Sequence, residues 1–293
     1  MLLGKRLRGV IPKQIAIPSY KLARKFDKPP ILSYCSYALH NFCLINQSEG
    51  FEEVTNIETI QKFTRNPNEQ GFIRVHTAIE AAGAPIIVCI GKTKYHILYN
   101  NPVDVEIELW KMASYMFKIR SILSHMWYEC SPNVYYKDVR PWIQGFNNVI
   151  YEGIQEYQGK PQSFRGETGA QSTLIPSLVA ALSIKHEQNP LMDHLADMMN
   201  YMPPGHREFI NLCWQEPSIR EYVTEYRTRH PGLVEAFNTL IEGVYAFRAE
   251  HNRFQNPYII DKIPEEQRGT GGTPFKEWLP KLHDETIAHK IKY

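Results

Sequence analysis

The sequence lacks the features that mark several large protein classes. Its apolar stretches, such as residues 86–90, stop after a few positions, short of the ~18 consecutive apolar residues of a membrane span. The N-terminus, Met-Leu-Leu-Gly-Lys-Arg-Leu-Arg, meets charge before a signal-peptide hydrophobic region can form. Cysteine is scarce and odd in number. The five (Cys35, Cys43, Cys89, Cys130, Cys213) contain no CxxC pair, which argues against a zinc ribbon and for reduced thiols in a cytoplasmic compartment. An excess of one charge is also missing: 33 Lys and Arg against 31 Asp and Glu leave +2, too balanced for a dedicated nucleic-acid binder. No internal repeat, low-complexity tract, Walker phosphate loop or GxGxxG turn is visible. What is present is globular: 43% hydrophobic and 22% charged residues over 293 positions. A chain of this size hides roughly three quarters of its unfolded surface and needs no disulfide or metal staple. These features predict a globular cytoplasmic protein without a membrane segment.

Periodicity predicts helices almost everywhere beyond residue 71. Leu109, Met112, Met116, Ile119, Leu123 and Met126 form one apolar stripe on a long helix, with Pro132 just past its end. Shorter helices are expected over 133–143, 172–186, 189–200, 204–214, 218–229 and 275–290, and a long one from Pro231 to about Asn256. Upstream, a helix is predicted from Pro30 through Phe42, and a short strand within 56–64. The first thirty residues carry eight basic residues against Asp27 alone and read as a poorly ordered, solvated edge. The fold class is all-α, a helical bundle larger than four helices.

Two of the eleven histidines sit where apolar residues should be. The seam Phe237, Leu240, Val244, Phe247 continues onto His251, and His76 shares a face with Phe72, Val75 and Ile79. An imidazole on an apolar stripe needs a polar partner or a metal, because burying it unpaired costs about 1–3 kcal/mol. Singly, each reads more simply as a hydrogen-bonded core histidine. Two on separate helices also suit a haem held between them. Two glycine-rich segments, 166–173 and 269–273, read either as flexible connections or as backbone approaching a ligand closely. In Tyr135-Tyr136-Lys137-Asp138-Val139-Arg140, Tyr136 and Arg140 share a helical face, either as a surface salt-bridge site or as aromatic and bidentate-cation recognition of a flat carboxylate ligand.

Seven segments, in order over nearly the whole chain, carry a family resemblance: Ile11–Pro18 with Pro29–Tyr34, Phe72–Glu80, Tyr135–Arg140, Val149–Gly153, Tyr201–Arg207, Phe247–His251 and Gly269–Thr273. Together they resemble the indoleamine 2,3-dioxygenase family of haem enzymes. The resemblance implies a large helical bundle enclosing haem b, with a reduced N-terminal small domain: residues 1–65 its remnant, and 66–293 the helical catalytic domain. It implies insertion of both atoms of O2 across the indole C2–C3 bond of L-tryptophan or another indoleamine, giving N-formylkynurenine. His251 would be the axial ligand of haem iron, with a second-shell acceptor on its other nitrogen. Arg140 would bind the substrate carboxylate, and Thr270 and Gly271 would meet the amino-acid end. Tyr34, Phe72 and Tyr135 would wall the indole, while Thr168, Gly169 and Ala170 would line the distal pocket near O2. His76 stands where family members often have serine, and the related tryptophan dioxygenases have a distal histidine, so it would accept the indole N–H. Other departures are Ile73 in place of an aromatic, Tyr37 where smaller residues occur, and Glu167 in place of a glycine. The N-terminal part of the small domain has no counterpart, so the distal side is expected to be open to water or covered by a second copy in a homo-oligomer. Two alternatives stand beside this reading: a haem enzyme doing other indole chemistry in secondary metabolism, and a haem-binding module without turnover.

Overall fold

The computed structural model describes residues 9–51, 53–262, 270 and 275–292. Among these, the helices are α1 (Lys13–Lys25), α2 (Pro67–Leu98), α3 (Pro102–Ser124), α4 (Met126–Glu129), α5 (Pro132–Val134), α6 (Arg140–Ile143), α7 (Leu174–Ala181), α8 (Pro190–Met199), α9 (Pro204–Cys213), α10 (Ile219–Tyr226), α11 (Pro231–Arg253) and α12 (Phe275–Ala288). The strands are short: β1 (Val10–Ile11), β2 (Phe42–Leu44), β3 (Ile57–Thr59), β4 (Phe146–Tyr151) and β5 (Gln162–Phe164). The fold is all-α in character, as the periodicity predicts.

Asparagine followed by proline starts three of the helices. Asn66, Asn101 and Asn189 each accept a hydrogen bond from a first-turn backbone N–H, and Pro67, Pro102 and Pro190 then occupy the first helical turn. The packing core is a layer in which α2 lies along α3 and α3 along α11. The predicted stripe of α3, from Leu109 through Leu123 and on to Met126 in α4, is buried throughout. α2 is longer than periodicity suggested. Its 32 residues include an 18-residue window of mean hydropathy 1.5, long and apolar enough to cross a membrane. Ile73, Ala78, Ala82, Ile86 and Ile90 on this helix are instead buried in the protein core, and scattered polar positions hid the length of the apolar window from a search for unbroken runs.

The N-terminal region departs from the sequence reading. No helix runs from Pro30. A single π-helical turn, Cys35–Leu39, is followed by β2, which pairs antiparallel with β3 in register Phe42↔Thr59. The expected strand in 56–64 is therefore present, and its partner occupies the end of the expected helix. From residue 9 on, the basic leading segment is solvated as expected but not loose: α1 is largely exposed, while its Ala16 packs with Val149, Tyr151 and Ile154 in a second small core. β1 joins β4 in parallel, β4 pairs with β5, and the three form a small sheet on that side. The N-terminal layer thus draws on residues 146–164 as well as on the first sixty.

Candidate functional site

Three segments converge at one end of α2. The first is the run from α5 to α6. Between them the chain makes a π-helical turn, Tyr135–Val139, in which the Arg140 N–H donates to the Tyr135 carbonyl five residues back. The extra residue rotates the next turn relative to a regular helix, a device that recurs at functional sites. Arg140 is buried, at 2% exposure, and its guanidinium lies 5.5 Å from the Tyr136 ring centroid. The shared face predicted for Tyr136 and Arg140 is therefore present, with Arg140 buried and Tyr136 half-buried. Burial pushes the Tyr135 phenol well above its usual range; Glu167 adds to the shift and Arg140 opposes it.

The second segment is the start of α2. Rings join in a continuous wall: Tyr34 to His76 at 5.7 Å edge-on, His76 to Phe72 at 4.4 Å, and Phe72 to Tyr135 at 5.2 Å, with Tyr37 6.3 Å from Phe72. The three aromatic residues expected to surround an indole are thus brought together with His76. The imidazole Nδ1 of His76 lies 2.8 Å from the Phe72 carbonyl oxygen. A carbonyl can only accept, so Nδ1 carries the proton and Nε2 presents a lone pair. Burial lowers the His76 pKa to about 4, which keeps this neutral tautomer at physiological pH. One helical turn on, Glu80 accepts from Tyr34 Oη at 3.0 Å and from Ser172 Oγ at 2.6 Å.

The third segment is 166–173. Gly166 and Gly145 face each other so closely that a Cβ on Gly166 would lie 2.4 Å from the Ile143 carbonyl, and one on Gly145 would lie 2.4 Å from the Phe164 carbonyl. Glycine is required at both. The approach lets the Glu167 N–H donate to Ile143 at 2.9 Å, which ties this segment to the end of α6. Gln171 completes the tie: its Oε1 accepts from the Tyr34 N–H at 2.9 Å and its Nε2 donates to the Gly166 carbonyl at 2.8 Å. Thr270 Oγ1 donates to the Glu167 carbonyl at 2.6 Å, which anchors that residue beside the same segment. A Cβ on Gly169 would meet nothing within 4 Å, so this position borders open space. Thr168 Oγ1 accepts from the Ala170 N–H at 3.4 Å. Gly271 and its neighbours Gly269, Gly272 and Thr273 lie outside the described residues.

His251, near the end of α11, follows Phe237, Leu240 and Val244, which are fully buried. Phe247 is half-buried and His251 itself is exposed; the protein packed around the imidazole still lowers its pKa, with His283 adding to the shift, and His76 lies within its electrostatic reach. Among the described residues neither ring nitrogen has a hydrogen bond, although the residue remains reachable by water. The acceptor expected behind it is therefore not found among them. Such a histidine, neutral and uncommitted, fits an axial ligand of haem iron. Among the described residues no group of three His, Cys, Asp or Glu could hold a bare metal ion. His186, one of the histidines outside these apolar stripes, has a buried side chain paired with Glu285 at 2.6 Å.

Glu80 and Gln171 escaped the sequence reading. Glu80 had a signal, since it stands four residues after His76 on the same face. Gln171 had none, because both its contacts are long-range.

Comparison with known proteins agrees with this geometry. The indoleamine 2,3-dioxygenase family model matches residues 2–268. The chain is 27% identical to indoleamine 2,3-dioxygenase 1 of Rattus norvegicus, over 96% of this chain and 73% of that protein. The figures are the same for the indoleamine 2,3-dioxygenase of Saccharomyces cerevisiae. A 6-hydroxytryptophan 2,3-dioxygenase of Fusarium equiseti is 26% identical over 94% of this chain and 74% of its own length. With the family model matched across almost the whole sequence, the chain belongs to the indoleamine 2,3-dioxygenase family of haem-dependent dioxygenases.

Proposed function

We propose that the chain inserts both atoms of O2 across the C2–C3 bond of the indole of L-tryptophan or a close derivative, giving N-formylkynurenine or its substituted counterpart. The observation that carries this reading is the wall of Tyr34, His76, Phe72 and Tyr135 rings ending at the buried Arg140. A flat apolar body with a carboxylate at one end is what such a slot complements. Relatives bear the names of dioxygenases of indoleamines and of 6-hydroxytryptophan, so the substrate class is an indole.

His251 would hold the iron of haem b, which supplies activation of O2. Arg140 binds the substrate carboxylate through paired charged hydrogen bonds. The three aromatic rings exclude water and align the indole plane. His76 Nε2, its lone pair fixed by the Nδ1–H donated to Phe72, accepts the indole N–H and sets the rotation of the ring. Thr270 holds the 167 segment against the amino-acid end, with Gly271 next to it in sequence. Gly169 and Ala170 leave room for O2. In this reading residues 1–65 cover the distal side through Tyr34 and Tyr37, and 66–293 form the haem-binding body. Five free thiols suit work in the reducing cytoplasm.

The test is turnover by purified, haem-loaded, reduced protein supplied with L-tryptophan and O2. Formation of N-formylkynurenine in proportion to O2 consumed is expected. Haem binding without ring opening of any indole would overturn the proposal.

A further inference from the structure

Outside the indole slot, a cavity of about 300 Å³ opens between α1, β5 and α9. That volume is at the small end of ligand pockets and suits a molecule with one ring. Its floor is held in place. After α1 the backbone of Asp27 is left-handed, at φ 48°, and the rings of Pro29 and Pro30 then restrict the chain. Tyr151 Oη donates to the Pro30 carbonyl at 2.9 Å, which ties this stretch to β4. One wall is aromatic: the Tyr157 ring meets Tyr20 edge-on at 5.3 Å and Phe164 at 6.4 Å. Tyr20 and Tyr157 are half-buried, and among the described residues neither hydroxyl has a hydrogen-bond partner.

The charges around this cavity do not balance. Three cations line it, Arg24, Lys28 and Arg207, against the single carboxylate of Asp27, which already pairs with Arg207. Arg24 lies within electrostatic reach of the Tyr157 phenol, and among the described residues it makes no hydrogen bond or ion pair. The dipole of α1 does not require it, since Lys25 also stands in the last turn. Lys28 Nζ donates to Ser33 Oγ at 3.1 Å and to Ser36 Oγ at 2.7 Å. Both acceptors are neutral, so one N–H remains over, and the half-buried ammonium has no carboxylate counter-ion among the described residues. A charge held partly out of water without a partner is costly, and an anion entering the cavity would relieve it. We infer that the cavity is a second ligand site, taking a small aromatic ring that bears one anionic group, a carboxylate or a phosphate. The anionic group meets Arg24, whose planar fork matches either head group, and the remaining Lys28 N–H. The ring packs against Tyr157, Tyr20 and Phe164. None of these residues belongs to the indole slot, so the two proposals stand or fall separately.

The experiment measures dissociation constants by calorimetry on haem-loaded ferric protein, with benzoate and phenyl phosphate as probes and acetate and inorganic phosphate as their ring-free counterparts. Wild type, Arg24→Gln, Arg24→Glu and Arg140→Leu are compared. Arg24 is exposed on α1, so its substitutions leave the fold intact. Lys28 is left unaltered because it also holds the serines on either side of Tyr34. Arg140→Leu removes the other cation that an aromatic carboxylate could reach. At least one ring-bearing probe is expected to bind wild type and Arg140→Leu alike, tenfold or more tightly than its ring-free counterpart. Arg24→Gln should weaken it tenfold or more, and Arg24→Glu should abolish it. The tighter of benzoate and phenyl phosphate then identifies the head group. Binding that is lost in Arg140→Leu and kept in Arg24→Glu would place the probe in the indole slot and overturn the inference. Equal affinity for the ring-free anions, or no binding of either ring-bearing probe to wild type, would overturn it as well.

Discussion

Replacing Glu167 by glutamine should raise the stability of the protein, by an amount that grows with pH. The carboxyl is buried, and its pKa rises from 4.5 to about 8 through loss of solvation alone. The folded state therefore holds a proton that the unfolded state releases near pH 4.5. Between those values the folded protein loses stability as pH rises, and above about 8 the loss is complete. The interval corresponds to a penalty on the order of 4–5 kcal/mol above pH 8, and to less than about 1 kcal/mol at pH 5. The groups facing Glu167 leave this window clear. Tyr34, Tyr37 and Tyr135 are themselves pushed above the usual phenol range and stay neutral. Glutamine keeps the shape and removes the titration. Urea unfolding of haem-loaded wild type and Glu167→Gln, followed by far-UV circular dichroism at pH 5, 7 and 9, should give curves that diverge steadily as pH rises. Parallel stability profiles would show that the carboxyl is solvated in the folded protein and would refute the reasoning.

Three further predictions concern the site itself. His251→Ala should lose haem, and a purified variant with a normal Soret band and ferrous-CO spectrum would contradict the assignment. Arg140→Leu should weaken tryptophan by about 3 kcal/mol, a hundredfold or more in Kd, and leave tryptamine nearly unaffected; equal losses for both would make Arg140 structural. His76→Ser should lower turnover of tryptophan by ~10²–10⁴-fold or less and narrow the gap between tryptophan and 1-methyltryptophan, which has no N–H to donate. An unchanged ratio between those two substrates would remove the hydrogen-bond role.

What could be read from sequence came from regular periodicity. The α3 stripe and the seam leading to His251 repeat at helical spacing; the stripe is buried throughout, and the seam is buried as far as Val244, half-buried at Phe247 and exposed at His251. The Asn-Pro pairs that start α2, α3 and α8 act through local backbone chemistry and mark three helix starts at positions 66, 101 and 189. Periodicity gave no access to the π-helical turns. At Tyr135–Val139 the hydrogen bond spans five residues, which brings Tyr135 into line with Arg140 as well as leaving Tyr136 beside it. At Cys35–Leu39 a similar turn replaces the regular helix that Pro30 suggested, and it carries Tyr37 into the core. The Gly145–Gly166 contact and the two bonds of Gln171 join segments far apart in the chain, so no local pattern announces them. The burial of the Glu167 carboxyl is likewise a tertiary property. In sequence it registers only as an acid where the family has glycine.

The central claim is that both atoms of one O2 molecule enter one indole. Mass spectrometry of the product formed from L-tryptophan under a mixture of ¹⁶O2 and ¹⁸O2 tests it directly. The account predicts freshly formed N-formylkynurenine species that carry either two heavy oxygens or none. A product dominated by single labels, or a hydroxylated indole with its ring intact, would contradict it.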